Sequence, residues 1–366
     1  MNRPVRIGML SFAHGHVGVY ARELAARDDA ELTACWDSDT DRMHAMAATF
    51  GMQAEPDLDR FLSRDDVECV IIGSETAYHA RHAVMALRRG KAVLLQKPMA
   101  LTLPECDEII REAAAAGRWF SLAFQMRCDP VNIAIRSIVQ SHRLGRLIFI
   151  RRRHCIGVLF NDQFVNGATR WHTEQWANRG MFFDDAIHAI DWLTWTLDRL
   201  PESCTAEISN TIGRIETDDT GVAIYRYSDG LTATVMNSSV ILAGENTTEI
   251  YGDKGVLIQN HGDGPSSSCM PACGGCALKL WETTDSGSGW TDLGLPIQQQ
   301  GERIAAVVPV FLSAYRAGVP MCSAQEGRRS VEMCLAAYRS SHLGQRVRLP
   351  LTHDELDRVP APPGQG

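Results

Sequence analysis

The stretch Val5-Arg6-Ile7-Gly8-Met9-Leu10-Ser11-Phe12-Ala13-His14-Gly15-His16-Val17 decides the fold. Val5–Phe12 is a short apolar run that reads as a buried strand, and Val17–Ala26 follows with helical spacing. The turn between them, Ser11-Phe12-Ala13-His14-Gly15-His16, stands where a strand-to-helix connection would cradle a phosphate. Against the pattern G-x-G-x-x-G it carries Ser11, Ala13 and His16 where glycines belong. Ser11 and Ala13 are small enough for a fairly close approach, and amides at the helix start can face an anion. A tighter turn that binds nothing is the competing reading.

Outward from this turn, strand and helix patterns alternate for about 125 residues. Strands are expected at Glu31–Trp36, Val67–Ile72, Ala92–Leu95 and Trp119–Phe124. Helices are expected at Asp41–Phe50, His79–Arg89 and Pro104–Ala116, closed by Gly51, Gly90 and Gly117. Strands spaced by such helices mean βαβ units and a parallel, doubly wound sheet. Asp37 ends the second strand, about 20 residues past the turn, where a carboxylate suits a ribose diol and repels a 2′-phosphate. With no basic residue at Ser38, this favours NAD over NADP. Asp37 also reads as a helix cap, shared with Ser38 or Asp39.

Beyond residue 126 the pattern changes. A helix at Val131–Val139 and a strand at Leu147–Arg153 precede a loop-like stretch, Gly157–Arg179, and a helix at Phe182–Leu197. Consecutive strands follow at Cys204–Ser209, Val222–Tyr227, Leu231–Val240, Thr247–Tyr251 and Val256–Gln259, which suggests an antiparallel sheet. Two helices, Ile304–Ala317 and Arg328–Leu343, lead to a last strand at Arg346–Pro350. The expected fold is therefore α/β: a Rossmann-type domain over 1–126, a C-terminal α/β domain with a large, mostly antiparallel open sheet over 127–350, and a tail over 351–366.

The 366 residues are 45% hydrophobic and 22% charged, ordinary for a globular chain, and long enough to bury a core without staples. Lys plus Arg is 36 and Asp plus Glu is 44, a net charge of −8 that argues against a nucleic-acid partner. No apolar run of ~18 residues marks a membrane span. The start lacks an apolar leader-like region, so a cytoplasmic location is expected. Of the 11 cysteines, most sit in apolar patterns and read as reduced core thiols. Cys269, Cys273 and Cys276 have metal-compatible spacing, with His261 the nearest fourth ligand, but lie in a Gly/Ser/Pro-rich stretch that also reads as an insertion.

Several further stretches carry a resemblance. They are Val93-Leu94-Leu95-Gln96-Lys97-Pro98-Met99-Ala100, Ser74-Glu75-Thr76-Ala77-Tyr78-His79, and Arg127-Cys128-Asp129-Pro130. To these are added Gly180 through Asp191, with Asp184 and His188 inside, and Ala337-Tyr338-Arg339-Ser340 with Gly344-Gln345-Arg346-Val347 near the end. In this order they resemble the Gfo/Idh/MocA oxidoreductases over nearly the whole chain. The family's Glu-Lys-Pro is Gln96-Lys97-Pro98 here, and the glycine of its D-x-G-x-H is Ala186.

The resemblance implies a catalytic set of Lys97, Asp184 and His188. It also implies NAD held by Ser11–His16, Asp37, Ser74, Thr76, His79, Gln96, Lys97 and Arg127. An ammonium at Lys97 would hydrogen-bond a substrate hydroxyl. Asp184 and His188, at i and i+4, would share a helix face, with His188 as general base and Asp184 orienting either the substrate or the imidazole. Arg170, Trp171 and His172 fall where substrate contacts are expected, together with Lys97, Asp184 and His188. Arg151-Arg152-Arg153 is a strand whose alternate members face opposite ways, one face toward solvent or a partner subunit and the other able to meet an acidic substrate.

The expected activity is NAD(H)-dependent hydride transfer at a secondary carbon of a small carbohydrate, cyclitol or polyol, by a homodimer or homotetramer. Two alternatives stay open: a glycosidase that retains NAD and oxidises its sugar transiently, and a non-catalytic sugar or nucleotide sensor.

Overall fold

The computed structural model describes residues 3–242, 247–259, 277–284, 287–296 and 298–352. Its helices are α1 (Gly15–Ala25), α2 (Thr40–Phe50), α3 (Leu58–Ser63), α4 (His79–Arg88), α5 (Leu103–Ala116), α6 (Pro130–Gln140), α7 (Asp162–Asn166), α8 (Gln175–Asn178), α9 (Met181–Leu197), α10 (Gln300–Ala305), α11 (Val307–Ala317) and α12 (Ala324–Leu343). The chain divides into two compact units, Met1–Gln125 with Ile304–Arg328, and Met126–Arg303 with Arg329–Gly366.

The first unit holds β1 (Val5–Leu10), β2 (Ala30–Trp36), β3 (Gln53–Ala54), β4 (Cys69–Ile72), β5 (Ala92–Leu95) and β6 (Phe120–Leu122), in the spatial order β3-β2-β1-β4-β5-β6. Every pairing is parallel. All residues of β4 and β5 are buried, which is why these strands read as unbroken apolar runs. Local chemistry sets the helix ends. Asp39 caps α2, Thr102 and Glu105 form a capping box on α5, and Gly51 and Gly117 close α2 and α5 in the left-handed conformation.

A single boundary near residue 126 does not describe this arrangement, because residues 304–328 group with the first unit. The Leu122 amide donates to the Cys322 carbonyl at 3.0 Å, the Cys322 amide to Ser121 Oγ at 3.2 Å, and Trp119 packs on Phe311 and Tyr315. The helix expected over 304–317 is two, α10 and α11, parted at Ala306. Proline lacks an N–H and is tolerated only in a first helical turn, and the break places Pro309 there.

The second unit holds β7 (Leu147–Cys155), β8 (Ser203–Ser209), β9 (Thr220–Arg226), β10 (Thr232–Ser238), β11 (Thr247–Gly252), β12 (Gly255–Gln259), β13 (Lys279–Thr284), β14 (Gly287–Asp292) and β15 (Val347–Arg348). They form one sheet in the order β14-β13-β12-β11-β7-β10-β9-β8-β15. It is antiparallel except where β10 pairs with β7. The hairpin β13–β14 was not expected from its Thr, Ser and Gly content. Helix α9, nearly all buried, covers one face of this sheet, against β7, β9 and β10. The expected loop over 157–179 is a chain of short helical turns.

Among the described residues no helix is long and apolar enough to cross a membrane. Their eight cysteines are buried free thiols, and burial pushes Cys35 up to about 11. Cys269, Cys273, Cys276 and His261 lie outside the described residues. Among the described ones no cluster of three or more His, Cys, Asp or Glu could hold a metal ion.

Candidate active site

The β1–α1 turn is built without the usual glycines. Ser11 takes φ 68°, the left-handed region that a non-glycine residue rarely enters, and its Oγ accepts from the Ala13 amide at 3.2 Å. His14 caps α1, its Nδ1 accepting from the His16 amide at 3.2 Å. A Cβ added at Gly15 would meet nothing within 4 Å, so the space before the first turn of α1 is open. The tight glycine has moved to Gly73, after β4. There a Cβ would lie 2.1 Å from Val17 Cγ2 and 3.1 Å from the Ser11 carbonyl. The amides of Phe12, Ala13, His14 and His16 are bonded within the protein, to Asp37, Ser11 Oγ, the Gly73 carbonyl and His14 Nδ1, so what fits NAD here is the open space at Gly15, where the start of α1 would meet its phosphates.

Asp37 does not cap α2; Asp39 does. The buried Asp37 carboxylate accepts from the Phe12 and Asp39 amides at 2.7 and 3.0 Å, and from Arg42 through two bonds at 2.8 and 2.6 Å. Burial works to lower the Arg42 pKa, but its bonds to Asp37 and the field of Asp37, Glu75 and Asp39 outweigh it and raise it. Beside this pair, Trp36 meets His82 edge-on at 5.5 Å between ring centroids, and His82 Nδ1 is hydrogen-bonded to Ser74 Oγ at 2.9 Å. Burial first, then the charges of His79 and Arg81, push the His82 pKa down to about 3.

Lys97 is buried just past β5, before a cis Pro98, and its amide donates to Gln96 Oε1 at 3.1 Å. Gln96 Nε2 donates to Tyr20 of α1 at 2.9 Å, so the residue that replaces the family's glutamate ties two elements together. His79 holds the turn from the other side, with Nδ1 at 2.6 Å from the Pro98 carbonyl and Nε2 at 3.0 Å from the Ser74 carbonyl. Thr76 is buried in the helical turn preceding α4. His79 is thus a clamp on the Lys97–Pro98 turn.

In the second unit, α9 carries the expected acid and base, Asp184 and His188. Its start has no local side-chain cap, since Gly180 precedes it. Two distant residues replace the cap: Asp218 accepts from the Phe182 amide at 2.6 Å, and Tyr338 Oη accepts from the Phe183 amide at 3.1 Å while donating to Asp218 at 2.7 Å. A Cβ at Gly180 would lie 1.9 Å from Asp218 Oδ2, so glycine is required for that approach.

One turn in, Asp184 is buried, and Nδ1 of His172 donates to its Oδ2 at 3.0 Å. His172 is stacked on Trp171 at 3.6 Å and on Phe164 at 5.2 Å between centroids. His188, a turn further, has its ring 5.4 Å from that of His154 on β7. Asp185 accepts from Ser239 Oγ at 2.9 Å. Asp184, held by His172 that is itself backed by Trp171, and His188, beside His154, thus lie buried one turn apart on α9.

Other expected residues lie elsewhere. Arg170 is 64% exposed and paired with Glu174. Arg127 grips Asp191 of α9 through two bonds at 2.9 and 2.7 Å. The idea that one face of Arg151–Arg153 meets an acidic substrate is corrected. Arg152 is fully buried, donating to Thr248 and Gln259 beneath the Trp192 ring, while Arg151 pairs with Glu249 at the surface. Sequence reasoning missed His154, hidden by the arginines before it, and Arg42. Strand alternation would have placed His154 with buried Arg152.

A parallel, six-stranded Rossmann-type domain joined in one chain to a large, mostly antiparallel sheet is the architecture of an NAD-binding oxidoreductase. The family model for oxidoreductases with an NAD-binding Rossmann fold matches residues 8–124, and that for the GFO/IDH/MocA C-terminal domain matches residues 133–258. The chain belongs to the Gfo/Idh/MocA family, and it is an NAD-binding oxidoreductase. It is 27% identical over 283 residues to the 1-carboxy-3-chloro-3,4-dihydroxycyclohexa-1,5-diene dehydrogenase of Comamonas testosteroni, covering 73% of this chain and 67% of the relative. It is 25% identical over 266 residues to the myo-inositol 2-dehydrogenase of Thermotoga maritima, covering 70% of this chain and 75% of the relative. A levoglucosan dehydrogenase solved with NADH superposes with a TM-score of 0.80 at 18% identity, covering 96% of this chain and all of that one.

Proposed function

We propose that this protein oxidises a secondary hydroxyl of a sugar, cyclitol or related polyol, or reduces the corresponding ketone, with NAD(H). The observation that carries this reading is the buried cluster on and around α9, where Asp184 is held by His172 and His188 lies beside His154. Named relatives act on ring-bearing diols and inositol, which supports the substrate class. NAD, when bound, would supply the acceptor for a hydride leaving the carbinol carbon. The Lys97 ammonium donates a hydrogen bond to the substrate oxygen and favours its alkoxide. His188 accepts the hydroxyl proton, and Asp184, fixed by His172, accepts from a neighbouring hydroxyl and orients the ring. A panel of sugars, inositols and cyclic diols, read by NADH absorbance, tests the proposal. Turnover of at least one with net NADH formation supports it, and no net NADH from any of them overturns it.

We also propose a homodimer or homotetramer that uses the sheet face opposite α9. Val222 and Ile224 of β9 are 38% and 39% exposed there, large apolar side chains that association would cover. Light scattering of the wild type and of Ile224→Glu tests this, and an unchanged monomer in both would refute it.

A further inference from the structure

The anchor expected to hold the ribose is already occupied by the protein. Oδ2 of Asp37 accepts from the Phe12 amide at 2.7 Å and from Arg42 Nε at 2.8 Å. Oδ1 accepts from the Asp39 amide at 3.0 Å and from Arg42 Nη2 at 2.6 Å. A carboxylate offers about four acceptor sites, and these four donors fill them. The Asp37 side chain is fully buried. A ribose diol that binds this carboxylate must displace two donors. The amides of Phe12 and Asp39 belong to the backbone turns after β1 and β2 and stay with them. Arg42 is different. It sits on the first turn of α2, its side chain keeps 17% exposure, and it has a second acid, Asp39, at 3.7 Å.

We propose that Arg42 sets the nucleotide preference of this domain, by competing with the ribose diol for Asp37 and by supplying, once displaced, the cation that a 2′-phosphate requires. The inference rests on the domain binding a nicotinamide dinucleotide. Each consequence follows from the fork geometry. A bidentate guanidinium–carboxylate pair is a strong competitor, so the free protein holds its ribose acceptor in a closed state, and NAD binds with its intrinsic affinity reduced by the fraction that is open. Phosphate prefers the same fork, so Arg42 offsets the repulsion that Asp37 alone would impose on NADP. The NAD preference read from Asp37 is therefore weaker here than an unpaired aspartate would make it.

Isothermal titration of nucleotide-free protein with NAD+ and with NADP+ tests this without any turnover. In Arg42→Ala the Kd for NAD+ should fall roughly tenfold as the competitor is removed. The Kd for NADP+ should rise by about the same factor as the phosphate loses its cation. Arg42→Lys, which keeps the charge but not the fork, should tighten NAD+ by a smaller factor and hold NADP+ better than alanine does. Asp37→Asn, with Arg42 kept, should reverse the preference toward NADP+. Thermal melting checks that Arg42→Ala is folded; if it is not, the lysine variant carries the same comparison. A ratio of the two affinities unmoved by either Arg42 variant, or NAD+ binding weakened by both, would overturn the role of Arg42. Absence of binding of either nucleotide to the wild type would instead remove the premise.

Discussion

His172 and Asp184 are joined by a buried hydrogen bond of 3.0 Å between Nδ1 and Oδ2. The bond links the helical turn after α7 to the first turn of α9 and holds the Asp184 carboxylate. Stacking against Trp171 and Phe164 holds the imidazole in plane. On the proposed mechanism, His172 acts through Asp184. His172→Phe, which preserves the stack and removes the bond, should lower kcat/KM by roughly ten- to a hundredfold, the worth of a hydrogen bond to a charged group. Nucleotide affinity should be unchanged. Equal losses in kcat/KM and in NAD+ binding would mean a general structural role.

Lys97 and His188 are the groups proposed to act on the substrate directly. Lys97→Ala should abolish turnover while leaving the Kd for NAD+ near that of the wild type. His188→Ala should lose roughly 10²–10⁴-fold, the usual range for a positioned general base. His188→Asn should be as poor, because an amide cannot take the proton. Near-normal turnover of His188→Ala on a good substrate would transfer the base to another residue.

Tyr338→Phe probes how α9 is held. It leaves the buried Asp218 short of one donor and the Phe183 amide short of its acceptor. A loss of about 1–3 kcal/mol in unfolding free energy is expected, measured by urea denaturation. An unchanged midpoint would show that water replaces the hydroxyl.

His82 makes stability depend on pH. Its pKa is pushed down to about 3 from an ordinary value of 6.5. Below that ordinary value the unfolded chain takes up a proton that the folded chain refuses. The contribution is complete above the unfolded pKa and is lost as pH falls toward the folded one, by about 1.4 kcal/mol per pH unit. His82→Gln should therefore lose less stability than the wild type between about pH 6.5 and 5 in urea unfolding. Parallel declines in the two proteins would sink the claim.

Much of the first unit was legible because its strands are buried on both faces and its helices carry their own start and stop residues. What hid was chemistry between distant positions. The turn after β1 looks deficient in glycine because Ser11 takes the left-handed conformation itself, and the close contact falls on Gly73, more than 50 residues away. Asp37 was legible as an acid at a strand end, but not the guanidinium that fills it, since Arg42 is recognised only when α2 is set against β2. Asp218 and Tyr338 cap α9 from elements remote in sequence, and no local pattern announces them. Asp184 and His188 were legible as a pair one turn apart, and His172 as a candidate contact; that His172 pairs with Asp184 and His154 lies beside His188 needed the fold. The break at Ala306 had a visible cause in Pro309, and the polar composition of β13 and β14 concealed a hairpin.

The return of residues 304–328 to the first unit governs how the gene can be divided. A fragment that stops at residue 126 would lack Cys322, whose carbonyl receives the Leu122 amide, and the aromatic cover that Phe311 and Tyr315 place over Trp119. Its outermost strand, β6, would then present unpaired backbone and an uncovered indole, the features that drive edge-to-edge aggregation. A nucleotide-binding module lifted from this protein for fusion or biosensor work must instead be spliced, with 1–125 followed through a short linker by 304–328.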